Sequence, residues 1–273
     1  MGLVDDYRRS LKLPEAEELL DLAFYRPLAY AFVRAVYRTP LTPNQVTMLS
    51  LGFGLGAAYC FAVGTAAALV WGALWYALAN ILDCADGQLA RLQGSGTPLG
   101  RLVDGVADYI SSVAIFLGIG IGLEASGASS WLLVVGAGAA SALHAMLFDH
   151  HQGEYLSVVR SERGFNTHES ERISAAWADA RGVRKVVLAA YLRYLRIQER
   201  AGSPVGVNVD AAAYRASRRT ILRCWSFLGP TTNRTALVVA ALLGRTDLYL
   251  SFALLPANAW LLVCYLLDRK VRA

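Results

Sequence analysis

The chain has 273 residues, 55% of them hydrophobic and 17% charged, with 26 Lys and Arg against 21 Asp and Glu. A soluble domain carries about a quarter charged residues, whereas residues 43–82 here contain none. Disorder, collagen and disulfide-built secreted scaffolds are excluded, which leaves an all-α integral membrane protein.

Residues 1–42 form a cytosolic N-terminal region with six basic side chains. It lacks the apolar core of a signal peptide, and Asp6 stands where a myristoylation motif needs Ser or Thr. Within it, 14–36 has the pattern of an amphipathic helix: Leu19, Leu20, Ala23, Phe24, Leu28, Ala31 and Phe32 recur at three- and four-residue steps. Pro27 should kink or split that helix. The apolar stripe suits either the inner leaflet or the protein's own cytosolic face.

A membrane span needs about 20 mostly apolar residues. Six stretches qualify: 44–64, 66–90, 99–123, 130–149, 221–244 and 247–267. Residues 43–150 thus hold four transmembrane helices, 151–220 a basic, helical cytosolic insert, and 221–273 two more helices with a basic tail. The links after the first, third and fifth spans carry one basic residue, Arg245, while the other links are basic. Positive charge stays inside, so both termini are expected in the cytoplasm.

Between residues 150 and 223, 13 Lys or Arg face 7 Asp or Glu. There, 181–200 gives a second amphipathic pattern, with Val183, Val187, Tyr191 and Tyr194 on one side. Its basic side suits anionic headgroups or plain solvent. No nucleic-acid-binding module is present, so no nucleic-acid partner is expected. Cys60, Cys84, Cys224 and Cys264 lie in or beside apolar segments without metal-type spacing, as structural thiols do. His144, His150 and His151, at the end of the fourth span, are placed to touch a headgroup or to serve structure.

The chemistry concentrates in LDCADGQLARLQGSGTPLGRLVDGVADY. Four aspartates in and beside apolar spans are costly and therefore functional candidates. At 100° per residue, Asp83, Asp86, Gly87, Ala90 and Arg91 share an arc of about 140°, and Gly100, Asp104 and Asp108 an arc of about 80°. The link is short, so the two helices should be antiparallel neighbours with these faces opposed. Four carboxylates cannot all stay ionised there without shared protons or divalent cations. All-oxygen ligation suits Mg²⁺ or Mn²⁺, and four carboxylates can hold two ions. Gly87 and Gly100 leave room for a bulky ligand, and Arg91 offers a fork for phosphate. A proton-coupled transporter could use the same carboxylates, but would favour repeated halves with broken helices. The aspartate motif occurs only once.

The string resembles the signature of the CDP-alcohol phosphotransferase family, D-x2-D-G-x2-A-R-x8-G-x3-D-x3-D, in all eight positions: Asp83, Asp86, Gly87, Ala90, Arg91, Gly100, Asp104 and Asp108. LTPNQVT at 41–47 resembles the family's usual entry to its first span. The resemblance implies a membrane enzyme, opening to the cytoplasm from the cell inner membrane. It would move a substituted phosphate group from a CDP-linked donor to an alcohol acceptor, a lipid or a phosphorylated polyol, and release CMP. It further implies Asp83, Asp86, Asp104 and Asp108 as ligands of Mg²⁺ or Mn²⁺, with Asp108 also the general base. Gly87, Ala90, Arg91, Thr97 and Gly100 would hold the CDP group, with Asn44 and Thr47 lining it. A homodimer among membrane lipids is part of the same expectation. The acceptor is not fixed by the signature; phospholipid or polar-headgroup synthesis is the leading role, and the di-inositol-phosphate-forming branch is similar.

Arg234 lies ten residues from the outer end of the fifth expected span, about 15 Å and so near mid-membrane. An arginine facing lipid there costs about 2.5–3.5 kcal/mol. The segment is therefore expected to face the aspartate cavity, with Arg234 binding a phosphate of donor or acceptor. The alternative is an internal partner for a surplus aspartate.

Overall fold

The structure, a computed structural model, describes residues 3–128, 131–159 and 210–272, with isolated positions between 174 and 192. Most of the 151–220 insert, including the expected amphipathic helix at 181–200, lies outside the described residues. All regular structure among the described residues is helical. In chain order it comprises α1 (Leu3–Ser10), a π turn (Asp21–Tyr25) running into α2 (Arg26–Val36), α3 (Pro43–Val63), α4 (Ala66–Gln93), α5 (Pro98–Ala125) and α6 (Trp131–Val159). After the insert come α7 (Ala211–Trp225), α8 (Pro230–Leu242), α9 (Thr246–Leu254) and α10 (Pro256–Arg272).

Local chemistry sets the helix ends. Thr42 and Gln45 form a reciprocal capping box before α3, Thr65 caps α4 and Thr97 caps α5, so the first free N–H groups of each helix are met. Proline stands in the first turn of α3, α5 and α8, where its missing N–H costs nothing. Gly94, at φ +61, ends α4 in the left-handed conformation.

Five stretches among the described residues are long and apolar enough to cross a membrane: Pro43–Val63, Ala66–Gln93, Gly100–Ala125, Trp131–Val159 and Thr246–Val271. The first three match expectation closely, and α6 runs ten residues past the expected boundary. The expected span at 221–244 is not one helix. α7 stops at Trp225, a 3₁₀ turn covers Ser226–Leu228, Gly229 is extended, and Pro230 starts α8. Pro230 lacks an N–H and drives the preceding residue out of the helical region. The 13 residues of α8 extend only about 20 Å, against a hydrocarbon core of about 30 Å. Pro256 likewise divides the last span, and Asn258 Nδ2 donates to the freed carbonyls of Ala253 and Leu254 at 3.1 and 2.9 Å.

α3 packs against both α4 and α5. Gly118 and Gly122 of α5 press so close that an added Cβ would overlap the backbone of Ala58 and Phe61, as small residues permit at helix crossings in membranes. Ala57, Phe61, Ala73, Ile115, Leu237, Ala241 and Leu250 share one buried core, which draws α8 and α9 into the bundle. The N-terminal segment behaves differently from its pattern. A turn occupies residues 14–16, and the helix begins at Leu19. Leu19, Phe24 and Leu28, from the predicted apolar stripe, are exposed. The adjacent face, Tyr25, Ala29 and Val33, packs against Val46, Leu82 and Ala85, with Leu20 and Phe32 of the stripe partly buried beside it. The π turn immediately precedes Pro27, which then sits in the first turn of α2.

Candidate active site

α4 and α5 bring three of the four signature aspartates together. Carboxylate oxygens of Asp83, Asp86 and Asp104 all lie within 4.8 Å of one another. Asp86 is buried and accepts a hydrogen bond from Thr47 Oγ1 at 2.5 Å, which ties it to the first turn of α3. Asp104 keeps one buried carboxylate oxygen, Oδ1, with no hydrogen-bond partner. Such an oxygen is expensive to leave unmet. A divalent cation is the partner that three hard oxygens at this spacing suit, so the residues present fit one.

Asp108, one turn further along α5, stands beside the cluster and is held by Arg234. That guanidinium donates from Nη2 to Asp108 at 2.7 Å, and from Nη1 to Asp83 and to Asn80 Oδ1, both at 2.9 Å. α8 thus faces the aspartates, and Arg234 spans the two helices that carry them. Its recorded partners are carboxylates and an amide, the arrangement of an internal counter-ion.

The remaining signature residues lie toward the link between α4 and α5. Arg91 folds back over Gly87: a Cβ on Gly87 would lie 3.3 Å from Arg91 Nη1. Arg91 Nε donates to the Ser10 carbonyl at 2.5 Å, while its Nη2 is buried and unpartnered. Gly100 sits where two oxygens converge, since an added Cβ would stand 3.1 Å from both Asn44 Oδ1 and Thr97 Oγ1. Thr97 is exposed and accepts from the Gly100 N–H at 3.0 Å as the cap of α5. Ala90 is half-buried, and its carbonyl takes the Ser95 N–H at 3.0 Å where α4 ends. The histidines have other partners. His144 is fully buried and bonds Asn258 Oδ1 at 3.2 Å, and His151 stacks on Trp225 with ring centroids 4.1 Å apart. The His150 ring meets that of His151 edge-on. All four cysteines are free thiols.

Sequence reasoning missed a second set of acids. Glu15, Glu17, Glu18 and Asp21 are all buried, although four carboxylates in seven residues have the look of a solvated face. Each has a defined partner. Glu15 pairs with Arg215, and Glu17 with Arg26 at 2.9 Å. Asp21 Oδ1 accepts from Thr231 Oγ1 at 2.9 Å. Glu18 accepts from the Thr231 N–H at 3.0 Å, and from the Thr232 N–H and Oγ1 at 2.8 Å each. Burial pushes Glu18 up to about 7, aided by the nearby Asp21 charge and opposed by those hydrogen bonds. Burial works the same way on Glu17, but Arg26 and Lys12 outweigh it and hold that carboxyl below its usual range. Only the two Thr–Thr positions after Pro230 hinted at a capped helix start.

Residues 40–167 match the family model of CDP-alcohol phosphatidyltransferase. Over that stretch, just under half of its length, the chain is similar to this family. The chain is 33% identical over 110 residues to the phosphatidylinositol phosphate synthase of Corynebacterium glutamicum, covering 40% of this chain and 45% of that protein. It is 33% identical over 102 residues to the protein of the same name from Mycolicibacterium smegmatis, covering 37% and 45%. Likewise it is 34% identical over 84 residues to the bifunctional IPC transferase and DIPP synthase of Rubrobacter xylanophilus, covering 31% of this chain and 19% of that protein. The matches thus span less than half the length of these relatives.

Proposed function

We propose that this protein is a membrane transferase that moves a substituted phosphate group from a CDP-linked donor to an alcohol acceptor and releases CMP, in phospholipid or polar-headgroup biosynthesis. One observation carries the reading: the family signature folds so that Asp83, Asp86 and Asp104 place their oxygens within 4.8 Å of one another, with Asp108 alongside. These four carboxylates would hold Mg²⁺ or Mn²⁺, two ions in our reading. The metal would neutralise the donor diphosphate and the leaving CMP.

The chain's own groups do the rest. Arg91, with an unpartnered Nη2 beside Gly87, supplies a fork for the donor phosphate. Gly87, Ala90, Thr97, Gly100, Asn44 and Thr47 complete the donor's bed. Asp108 takes the proton of the acceptor hydroxyl as its oxygen bonds to the donor phosphorus and the bond to CMP breaks. By likeness to phosphatidylinositol phosphate synthases, a phosphorylated inositol is the first acceptor to test, with CDP-diacylglycerol as first donor. Its phosphate would meet Arg234, because Arg234 is already bonded to the base that its hydroxyl must reach. The ion pairs with Asp83 and Asp108 favour a second role for Arg234 as counter-ion alone.

In the same reading the chain makes six crossings of the inner membrane with a short fifth, α8, both termini and the site facing the cytoplasm, and assembles as a homodimer. The exposed Leu19, Phe24 and Leu28 then lie against the inner leaflet. The test is CMP release by the purified full chain over a panel of CDP-linked donors and acceptors. Release should require Mg²⁺ or Mn²⁺; undiminished turnover in EDTA, or no CMP from any donor with folded protein, sinks the reading.

A further inference from the structure

α8 starts without a cap of its own. Gly229 has no side chain to offer, and Pro230 has no N–H, so the first free donors are the amides of Thr231 and Thr232. Both point at a carboxylate that lies more than two hundred residues upstream in the chain. Glu18 Oε1 takes the first and Oε2 the second, and Thr232 Oγ1 adds a third bond. An Asn, Asp, Ser or Thr at the cap position does this in most helices; here the N-terminal segment does it across the fold. When ionised, the carboxylate also sits at the positive end of the helix dipole.

Four more contacts fix the same segment at the aspartates. Asp21 Oδ1 accepts from Thr231 Oγ1 at 2.9 Å and lies 3.5 Å from Cys84 Sγ. Arg26 Nη1 donates to the Cys84 carbonyl at 3.2 Å, and Tyr25 Oη is 3.0 Å from Thr235 Oγ1. Cys84 follows Asp83 in sequence and Thr235 follows Arg234. Residues 18–26 therefore clamp α4 to α8 beside the two groups that form the ion pair. Gly229 supplies an independent sign that the carboxylate belongs there, since an added Cβ would overlap it.

We propose that Glu18 is the positioning residue of Arg234: by capping α8 it sets where that guanidinium stands against Asp83 and Asp108. Arg234 is two residues beyond Thr232, about 3 Å along the helix axis, so a loosened cap moves it directly. The consequence for the acceptor rests on the function proposed above; the cap itself does not.

Two readouts on the full chain in detergent separate these. Amide hydrogen exchange over 231–235 reports the cap without turnover. Glu18→Ala should accelerate it at least about tenfold, the worth of one charge-assisted hydrogen bond, while the other spans keep their protection. Glu18→Gln retains one acceptor oxygen and should fall between; Gly229→Ala should resemble Glu18→Ala. In kinetics, Glu18→Ala should raise the acceptor KM about tenfold with donor affinity nearly unchanged, and should add little in an Arg234→Ala background. Unchanged exchange over 231–235, or acceleration through all spans alike, refutes the positioning role, as do multiplicative effects of Glu18→Ala and Arg234→Ala. If Arg234→Ala leaves the acceptor KM untouched while Glu18→Ala still opens 231–235, the acceptor-phosphate reading fails and the clamp stands.

Discussion

Asp104→Asn tests the metal site without any substrate. Its carboxylate lies within 4.8 Å of those of Asp83 and Asp86. Two ionised carboxylates that close repel by about 3–4 kcal/mol at an effective dielectric constant near 20. Asn has the same shape and no charge. In EDTA the variant should therefore unfold no more easily than the parent, and relief of repulsion should make it somewhat more stable. Cation binding shows the opposite sign. At a free concentration of about 100 Kd, an ion bound only by the folded state adds about 2.7 kcal/mol. Weakening the ion tenfold to a hundredfold leaves about 1.4 to 0.4 kcal/mol by the same relation. Thermal unfolding in detergent, titrated with Mg²⁺ or Mn²⁺ from an EDTA baseline, reads both effects in one series. A variant that is weaker in EDTA yet keeps the full cation shift would falsify the assignment of Asp104 as a ligand. It would make the aspartate structural.

Asp108→Asn should lower kcat by about two to four orders of magnitude, the range of general-base catalysis, with donor affinity nearly intact; collapse of donor binding with substantial residual turnover assigns the base elsewhere. Gly100→Ala places a methyl 3.1 Å from Asn44 Oδ1 and Thr97 Oγ1, so donor affinity should drop with little loss of stability, and unchanged affinity removes this position from the donor bed. Glu18 supplies a pH signature. Its carboxyl is raised from 4.5 to about 7 in the folded chain, so between those values the folded state holds a proton that the unfolded state has released. Its contribution to stability accordingly falls as pH rises through that window. Glu18→Gln should flatten this part of the stability–pH curve, and an unchanged slope refutes the shifted titration.

The sequence by itself determined the membrane class, the first four spans and the aspartate array. Each rests on local regularities: apolar runs of sufficient length, and a helical repeat that brings Asp83 to Asp86 and Asp104 to Asp108 without knowledge of the rest of the chain. Helix starts at Thr42, Thr65 and Thr97 were open to the same logic, because caps act within three residues. The tertiary structure alone decided the remainder. The run from 221 to 244 is apolar enough for one span, but Gly229 and Pro230 break it, and what fills the break lies at Glu18. Glu15 and Asp21 also find partners far away in sequence, on α7 and α8. A carboxylate's neighbours across that distance leave no periodic trace, so an acidic run that folds inward looks the same in the sequence as one that faces water. Arg234 shows the division most plainly. Its depth in the membrane argued that it must face inward; which two aspartates it would bridge depended on how α8 is hung from the N-terminal segment.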